Sequence, residues 1–289
     1  MNYDTLYLTS GGTNGYSLLG AISVLEKVNL INTFKKIIGV SVGSMIALLL
    51  VLNYSALEIF KVLISKNVED IYFNSQINNN NLILNLINNL GTNDGSGINR
   101  VLQLFLTAKK LNTNITFKEL YKFNNTELVI IASNITNGKL QYFSYKLTPD
   151  CSILLAIKAS SAIPIIFNPV IYNNDILIDG AFFYKNENKI INDKTLTIRL
   201  LIEKNINVNL ENINILQYIK TLFDFITKYE YNDNKSHTIK LVFKTDGINF
   251  NLSKKHKIKM FNYGICETLK FIRYKRYLKK IFHTWKNIK

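Results

Sequence analysis

Two side chains stand where acyl-transfer chemistry is readily built, Ser41 and Asp179. Gly39-Val40-Ser41-Val42-Gly43 follows the apolar pair Ile37-Ile38 and leads into another apolar run. It reads as a buried strand, a sharp turn with a hydroxyl at the apex, and a helix, the G-x-S-x-G pattern of a nucleophile elbow. Side chains at Gly39 or Gly43 would collide with the neighbouring strand or helix. Asp179 closes the apolar strand Ile176-Leu177-Ile178 and precedes Gly180-Ala181. A carboxylate there needs a partner or a purpose. A serine next to a base can attack a carbonyl and carry the acyl group as an ester.

A third element lies upstream. Thr5–Leu8 is short and β-prone and ends in Ser10-Gly11-Gly12-Thr13-Asn14-Gly15, after which Leu18, Leu19, Ile22, Leu25 and Val28 recur at helical spacing. Backbone N–H groups at such a helix start attract negative charge. A dinucleotide fingerprint would need an acidic residue at the end of the second strand, and a P-loop would need a lysine before its hydroxyl residue. Neither is present. The loop is left with two readings, an oxyanion hole serving Ser41 and an ordinary strand–helix turn.

The base is the next question. The histidines are His237, His256 and His283. Ser41, Asp179 and His237 follow the α/β-hydrolase chain order, but that elbow comes after several strands, whereas one strand, one loop and one helix precede Ser41. His237 follows the polar stretch Tyr231–Ser236 and His256 lies among lysines, so both read as surface residues. A direct Ser41–Asp179 pair remains.

The elements that must position these groups read as α/β. Helical patterns cover Val42–Leu52, Ala56–Lys66, Leu82–Leu90, Ile98–Ala108 and Ile213–Thr227, and Thr116 with Glu119 forms a capping box. Leu128–Ala132 is a continuous apolar strand of the kind found in parallel sheets, and Asn137-Gly138 signals a hairpin to Lys139–Tyr145. Val170–Tyr172, Ile176–Ile178, Leu196–Ile202 and Ile239–Val242 read as further strands. Gly91–Gly97 reads as a loop, and its lone Asp94 as a turn residue.

Length and composition agree with one compact domain: 289 residues, 47% apolar and 12% aromatic. The net charge of +15 favours anionic partners without choosing among them. Cys151 and Cys266 make neither a metal spacing nor a disulfide framework, and no metal or cofactor is expected. The polar Asn2-Tyr3-Asp4 gives no secretory signal, and Ile37–Leu52 is shorter than the roughly 18–20 apolar residues of a membrane span. A cytoplasmic location is therefore expected.

Glycine loop, elbow and Asp-Gly-Ala, taken together, resemble the patatin-like phospholipase family from about Leu6 to Ala181. Gly11-Gly12-Thr13-Asn14-Gly15 looks like the family's oxyanion loop and Gly39–Gly43 like its elbow. Ala159-Ser160-Ser161-Ala162-Ile163-Pro164-Ile165-Ile166-Phe167-Asn168-Pro169-Val170 is similar to the stretch just before the family's catalytic aspartate, and Asp179-Gly180-Ala181 falls where that aspartate belongs. The resemblance implies a three-layer α/β sandwich with a mostly parallel central sheet flanked by helices. It further implies a catalytic domain over 5–200 with a C-terminal extension over 201–289. It makes Ser41 the nucleophile, Asp179 the base, Gly11, Gly12 and Thr13 the oxyanion hole, and Gly15, Gly39, Gly43 and Gly180 motif glycines. The implied activity is cleavage of fatty-acyl esters of phospholipid or lysophospholipid through an acyl-serine. Two positions depart from the pattern: Ser10 where the family usually has glycine, and Asn14 where it usually has lysine or arginine.

Phe271–Lys289 contains no acidic residue. On a helical wheel Phe271, Tyr274, Tyr277, Leu278, Ile281, Phe282, Trp285 and Ile288 share one face, opposite Arg273, Lys275, Arg276, Lys279, Lys280 and Lys286. This is the pattern of an interfacial helix, and residues 268–289 are the expected contact with an anionic membrane, with no nucleic-acid partner expected. The same face fits a helix packed on its own domain. A basic membrane- or nucleic-acid-binding module with an inert Ser41 is the competing reading of the whole chain.

Overall fold

A computed structural model describes residues 3–65, 82–182, 191–202, 237–243 and 252–286, with the backbone alone for 82–85, 202 and 276–286. Strand β1 (Thr5–Leu8) enters the glycine loop and helix α1 (Gly15–Lys27), and β2 (Lys36–Val40) enters the elbow and α2 (Val42–Val51). Then come α3 (Ala56–Ser65), α4 (Leu82–Asn89), β3 (Gly91–Asn93), α5 (Ser96–Ala108) and α6 (Phe117–Asn124). The hairpin β4 (Glu127–Asn134) and β5 (Lys139–Phe143) precedes α7 (Ile153–Ser160), and three short strands follow: β6 (Ile165–Phe167), β7 (Val170–Tyr172) and β8 (Asp175–Ile178). Last are β9 (Thr195–Ile202), β10 (Thr238–Phe243) and the long helix α8 (Lys254–Lys286). The helix expected over Ile213–Thr227 lies outside the described residues.

The main sheet has the order β10-β9-β1-β2-β4-β8-β7, with β5 also on β4. The strands from β10 to β4 are mutually parallel, and β5, β7 and β8 join antiparallel. The expected architecture, a mostly parallel central sheet flanked by helices, is the one observed. Alternation divides the central strands between two faces. Leu6, Leu8, Ile37, Leu128 and Ile130 enter the large core, while Tyr7, Ile38, Val40, Val129 and Ile131 form a smaller cluster capped by Leu140, Tyr142 and Ile191. Burial on both faces accounts for the unbroken apolar runs in these strands.

Two strands, Gly91–Asn93 and Ile165–Phe167, were not foreseen. Gly91–Asn93 sits inside the glycine-rich stretch read as a loop, yet pairs with Ile165–Phe167 as a two-stranded ribbon off the main sheet. Three residues with two polar side chains give no period-two signal; the pairing is set by tertiary contact. The capping box at Thr116 and Glu119 forms as expected.

Register brings the distant motifs level. Val40 lies opposite Ile131 in the parallel β2–β4 pair, and Ser133 lies opposite Ile178 in the antiparallel β4–β8 pair. One step beyond each, Ser41 and Asp179 both fall beside Ala132, on the same side of β4, because β5 runs along the other side over Ile130–Asn134. The glycine loop leaves β1, whose neighbours β2 and β9 lie on its two sides, so the loop opens at a topological switch point at the carboxyl end of the sheet.

Helix α8 crosses α1 almost backbone on backbone. A β-carbon at Gly20 would overlap the Phe261 carbonyl, and one at Gly264 would overlap the Ser17 carbonyl. Phe261 stacks on Phe60 of α3 with ring centroids 4.2 Å apart, which ties the three helices together. Gly264→Ala is expected to force the helices apart and cost about 1–3 kcal/mol, read as a lower urea midpoint with unchanged slope.

Candidate active site

Ser41 sits between β2 and α2 at φ 54° and ψ −125°, a conformation that costs a non-glycine residue about 1–3 kcal/mol. The turn is feasible because both flanking glycines lie against backbone. A β-carbon at Gly39 would strike Ser44 and the Gly43 carbonyl, and one at Gly43 would strike the Leu8 carbonyl. The Ser41 carbonyl is held by the Ser44 N–H at 2.8 Å and the Ser44 hydroxyl at 2.6 Å. Its own N–H donates to Ser160 Oγ at 2.9 Å.

Asp179 is buried, 2% exposed, one residue beyond β8. Its N–H donates to the Ala162 carbonyl at 2.9 Å, and its carboxylate accepts from the Ala181 N–H at 2.8 Å. The Ser41 hydroxyl stands close enough to the same carboxylate to hold its proton affinity down. Burial pushes the carboxyl up to about 6, and Ser41 and the bond from Ala181 oppose that rise without cancelling it. A carboxylate so placed holds a serine proton more readily than a solvated one. Gly180 completes the corner, since a β-carbon there would overlap the Ile131 carbonyl.

The glycine loop closes on itself as a single 3-10 turn, Gly12–Asn14, that runs into α1. Asn14 N–H donates to the Gly11 carbonyl at 3.1 Å, and Gly15 N–H donates to Gly12. Among the described residues the Gly11 and Gly12 N–H groups have no acceptor. Gly12 has φ 55°, which suits glycine. Gly15 packs against the Val42 side chain immediately after Ser41, so loop and elbow touch. Asn14 is fully buried with no partner for either side-chain amide atom.

Gly12, Thr13 and Ser41 share one cavity, whose walls are otherwise almost entirely apolar. Leu19, Ile46, Leu49 and Ile59 line it from α1, α2 and α3, and Ile98, Val101, Leu102 and Phe105 from α5. With its open mouth it encloses about 930 Å³ of atom-free space, open solvent included. The α5 contribution was not singled out from sequence. Its signal was present in the i, i+3, i+4, i+7 spacing of those four residues, which marks a buried face without saying that the face lines a cavity.

The histidines lie elsewhere. His237 is at the opposite, amino-terminal end of the parallel strands, with Nδ1 3.1 Å from the Tyr3 hydroxyl, and burial, seconded by Lys275, pushes it below its ordinary value. His256 is exposed at the start of α8. Side chains at His283 are outside the described residues. Asp94 accepts from the Ser96 N–H as a turn residue. Among the described residues no group of three or more potential metal ligands occurs, and no helix is long and apolar enough to cross a membrane.

Fold and site therefore define a parallel-sheet α/β protein whose elbow serine stands beside a buried carboxylate and not an imidazole. A family model described as Patatin-like phospholipase matches residues 6–187, more than half of the chain, and the chain belongs to that family. It is 37% identical over 186 residues to the probable lipid hydrolase 463L of Invertebrate iridescent virus 6, across 62% of this chain and 60% of that protein's length. It is also 26% identical over 289 residues to the protein R571 of Acanthamoeba polyphaga mimivirus, covering 90% of each. Among solved structures, VipD from Legionella pneumophila superposes with a TM-score of 0.59 at 16% identity, over 94% of this chain and 67% of that one. A chain of the SpcU–ExoU complex from Pseudomonas aeruginosa superposes at 0.52 and 15% identity, over 94% and 52%. These two likenesses concern the fold.

The raised Asp179 carboxyl sets a sign for stability. Its folded value lies above the ordinary one, so between about 4 and 6 the folded state binds more protons than the unfolded state, and stability falls as pH rises through that window. Asp179→Asn removes the buried charge. It is expected to melt above wild type at pH 8, with the difference closing towards pH 4 in a thermal-unfolding series.

Proposed function

We propose that this protein is a lipid acyl hydrolase in which Ser41 is the nucleophile and Asp179 its general base. Asp179 takes the Ser41 proton as Oγ adds to the ester carbonyl carbon. The carbonyl oxygen becomes an oxyanion facing the Gly11 and Gly12 N–H groups, with Thr13 beside them. Collapse breaks the acyl–oxygen bond, and the proton held on Asp179 passes to the departing alcohol. Water, deprotonated by the same carboxylate, then adds to the acyl-serine and releases the fatty acid and free Ser41.

The observation that carries this reading is the join between two environments. The Ser41–Asp179 contact stands at one end of a cavity whose walls are apolar. Such walls suit an acyl chain and keep water from competing with the hydrogen bonds of the site. Phospholipid or lysophospholipid is the proposed substrate class, in keeping with the family and with the description of the viral relative as a probable lipid hydrolase.

Contact with an anionic lipid surface through α8 is part of the proposal. As far as Lys275, the buried side of this helix is Lys257, Met260, Phe261, Thr268 and Ile272, while Leu269 and Tyr274 are exposed together with Lys270 and Arg273. Lys254, Lys255, His256 and Lys259 are exposed at its amino-terminal end. Positive charge is unfavourable next to that end of the helix dipole, so its accumulation there is better satisfied by an external anion. Lys257 Nζ lies 5.5 Å from the ring of Tyr16, a cavity residue, which places this basic turn beside the site.

Ser41→Ala is expected to lower kcat on a phospholipid or nitrophenyl ester by more than about 10³-fold and to abolish labelling by a fluorophosphonate. Wild-type turnover by Ser41→Ala would refute the assignment. Wild-type activity is expected to rise with pH through about 6, the value that burial gives the Asp179 carboxyl. In flotation assays, reversing Lys254, Lys255 and Lys259 to glutamate should reduce recovery with vesicles containing anionic lipid and leave hydrolysis of a water-soluble ester unchanged. Unaltered flotation would remove α8 as the docking surface.

A further inference from the structure

We propose that Ser160 is a positioning residue for this chemistry, holding Ser41 in its strained conformation at the distance from Asp179 that proton transfer needs. The inference rests on the hydrolase reading above and adds to it a residue that touches neither the substrate nor the reacting atoms.

The argument begins where the ladder stops. The β2–β4 pairing ends at Val40 opposite Ile131, and the sharp turn takes the Ser41 N–H out of the sheet. That N–H is buried and needs another acceptor. Ser160 supplies it through Oγ at 2.9 Å, while its own hydroxyl proton goes to the Ile131 carbonyl at 2.6 Å. One fully buried side chain thus joins the elbow to the end of β4. The Ile131 carbonyl is also the group against which Gly180 packs.

Two residues further along, the Ala162 carbonyl receives the Asp179 N–H at 2.9 Å. The segment Ser160–Ala162 therefore grips both partners, the serine by a side chain and the aspartate by main chain. Their separation is fixed by a third element, so it does not depend on their own contact, which must break and re-form in each turnover. Ser161 between them lines the cavity, so the segment follows the cavity wall past both groups.

Without the Ser160 hydroxyl, the Ser41 N–H and the Ile131 carbonyl would both be left buried and unpaired. Relaxation of the elbow is the simplest way for that N–H to find another acceptor. Such a movement carries Oγ away from Asp179, and a displacement near 1 Å can cost about 10²-fold in rate. It also takes away the Ser41 hydroxyl that holds the Asp179 carboxyl down against burial.

The test compares wild type, Ser160→Ala and Ser160→Cys by kcat and KM on a soluble nitrophenyl ester, by fluorophosphonate labelling rate against pH, and by thermal melting. Ser160→Ala is expected to lose about 10²-fold in kcat and labelling rate, with KM within about twofold. The midpoint of its acid limb should move to higher pH, a change that general loosening of the fold would not produce. Ser160→Cys preserves volume with a weaker donor and should fall between the two; it serves if Ser160→Ala does not fold. A folded Ser160→Ala or Ser160→Cys protein with wild-type kcat and midpoint overturns the inference while leaving the dyad intact. A wild-type protein inert to both ester and probe overturns the hydrolase reading, and this inference with it.

Discussion

Everything near the site follows from one backbone constraint, a serine held at positive φ where a strand becomes a helix. The strain must be offset by contacts that the relaxed turn would lose. Gly39 and Gly43 let β2, β1 and the start of α2 approach until main chain meets main chain. The Ser41 carbonyl is taken by Ser44 and its N–H by Ser160, so no polar group of the turn is abandoned in a dry interior. Close packing and satisfied hydrogen bonds together hold the hydroxyl clear of the helix it precedes, facing the space where Asp179 arrives.

The direction from which Asp179 arrives depends on sheet topology. A base supplied by another parallel strand would need a long crossover to reach the same edge. Here β8 enters antiparallel along the same edge of β4 that β2 has just left, and the residue after it meets the elbow end to end. The carboxylate is buried as a consequence of that approach. Burial raises its proton affinity towards the range useful to a general base, so in the proposed reaction the same geometry that costs stability supplies the basicity that a histidine would otherwise provide. The histidines are not required by this arrangement, and His237 lies at the far end of the sheet.

Much of this was legible in the sequence because its constraints are local. A serine between two glycines after an apolar strand, a glycine loop after another, and an aspartate closing a third are each readable from neighbours in the chain. The central strands were legible because burial on both faces leaves an unbroken apolar run. The pair Gly91–Asn93 and Ile165–Phe167 was not, since its partners are more than seventy residues apart and too short for a period. Ser160 was visible only as part of a familiar stretch. Its hydrogen bonds cross 119 residues to Ser41 and 29 to Ile131, distances over which no local pattern reports. On α8 the wheel's stripe is described at Phe271, half-buried against the core, and at Tyr274, which is exposed, its other members lying outside the residues whose side chains are described; the helix packs through Phe261, Thr268 and Ile272. Gly20 and Gly264 decide that face, by allowing the close crossing with α1.

The departure at Asn14 takes on a different meaning once its surroundings are known. A lysine or arginine there would have to bring its charge into a site with no exposed surface and no paired polar atom, at a desolvation cost of several kcal/mol per ion. The neutral amide fits the space but leaves both of its polar atoms unsatisfied. The loop is therefore held by packing and by its own turn, Asn14 to Gly11 and Gly15 to Gly12, without an ion pair. In the proposed reaction the oxyanion then meets backbone dipoles alone. Since those dipoles are fixed by Gly12 at positive φ and by Gly15 against Val42, stabilisation of the developing charge depends on the shape of the loop instead of on a side-chain cation, and the elbow and its oxyanion hole form one packed unit.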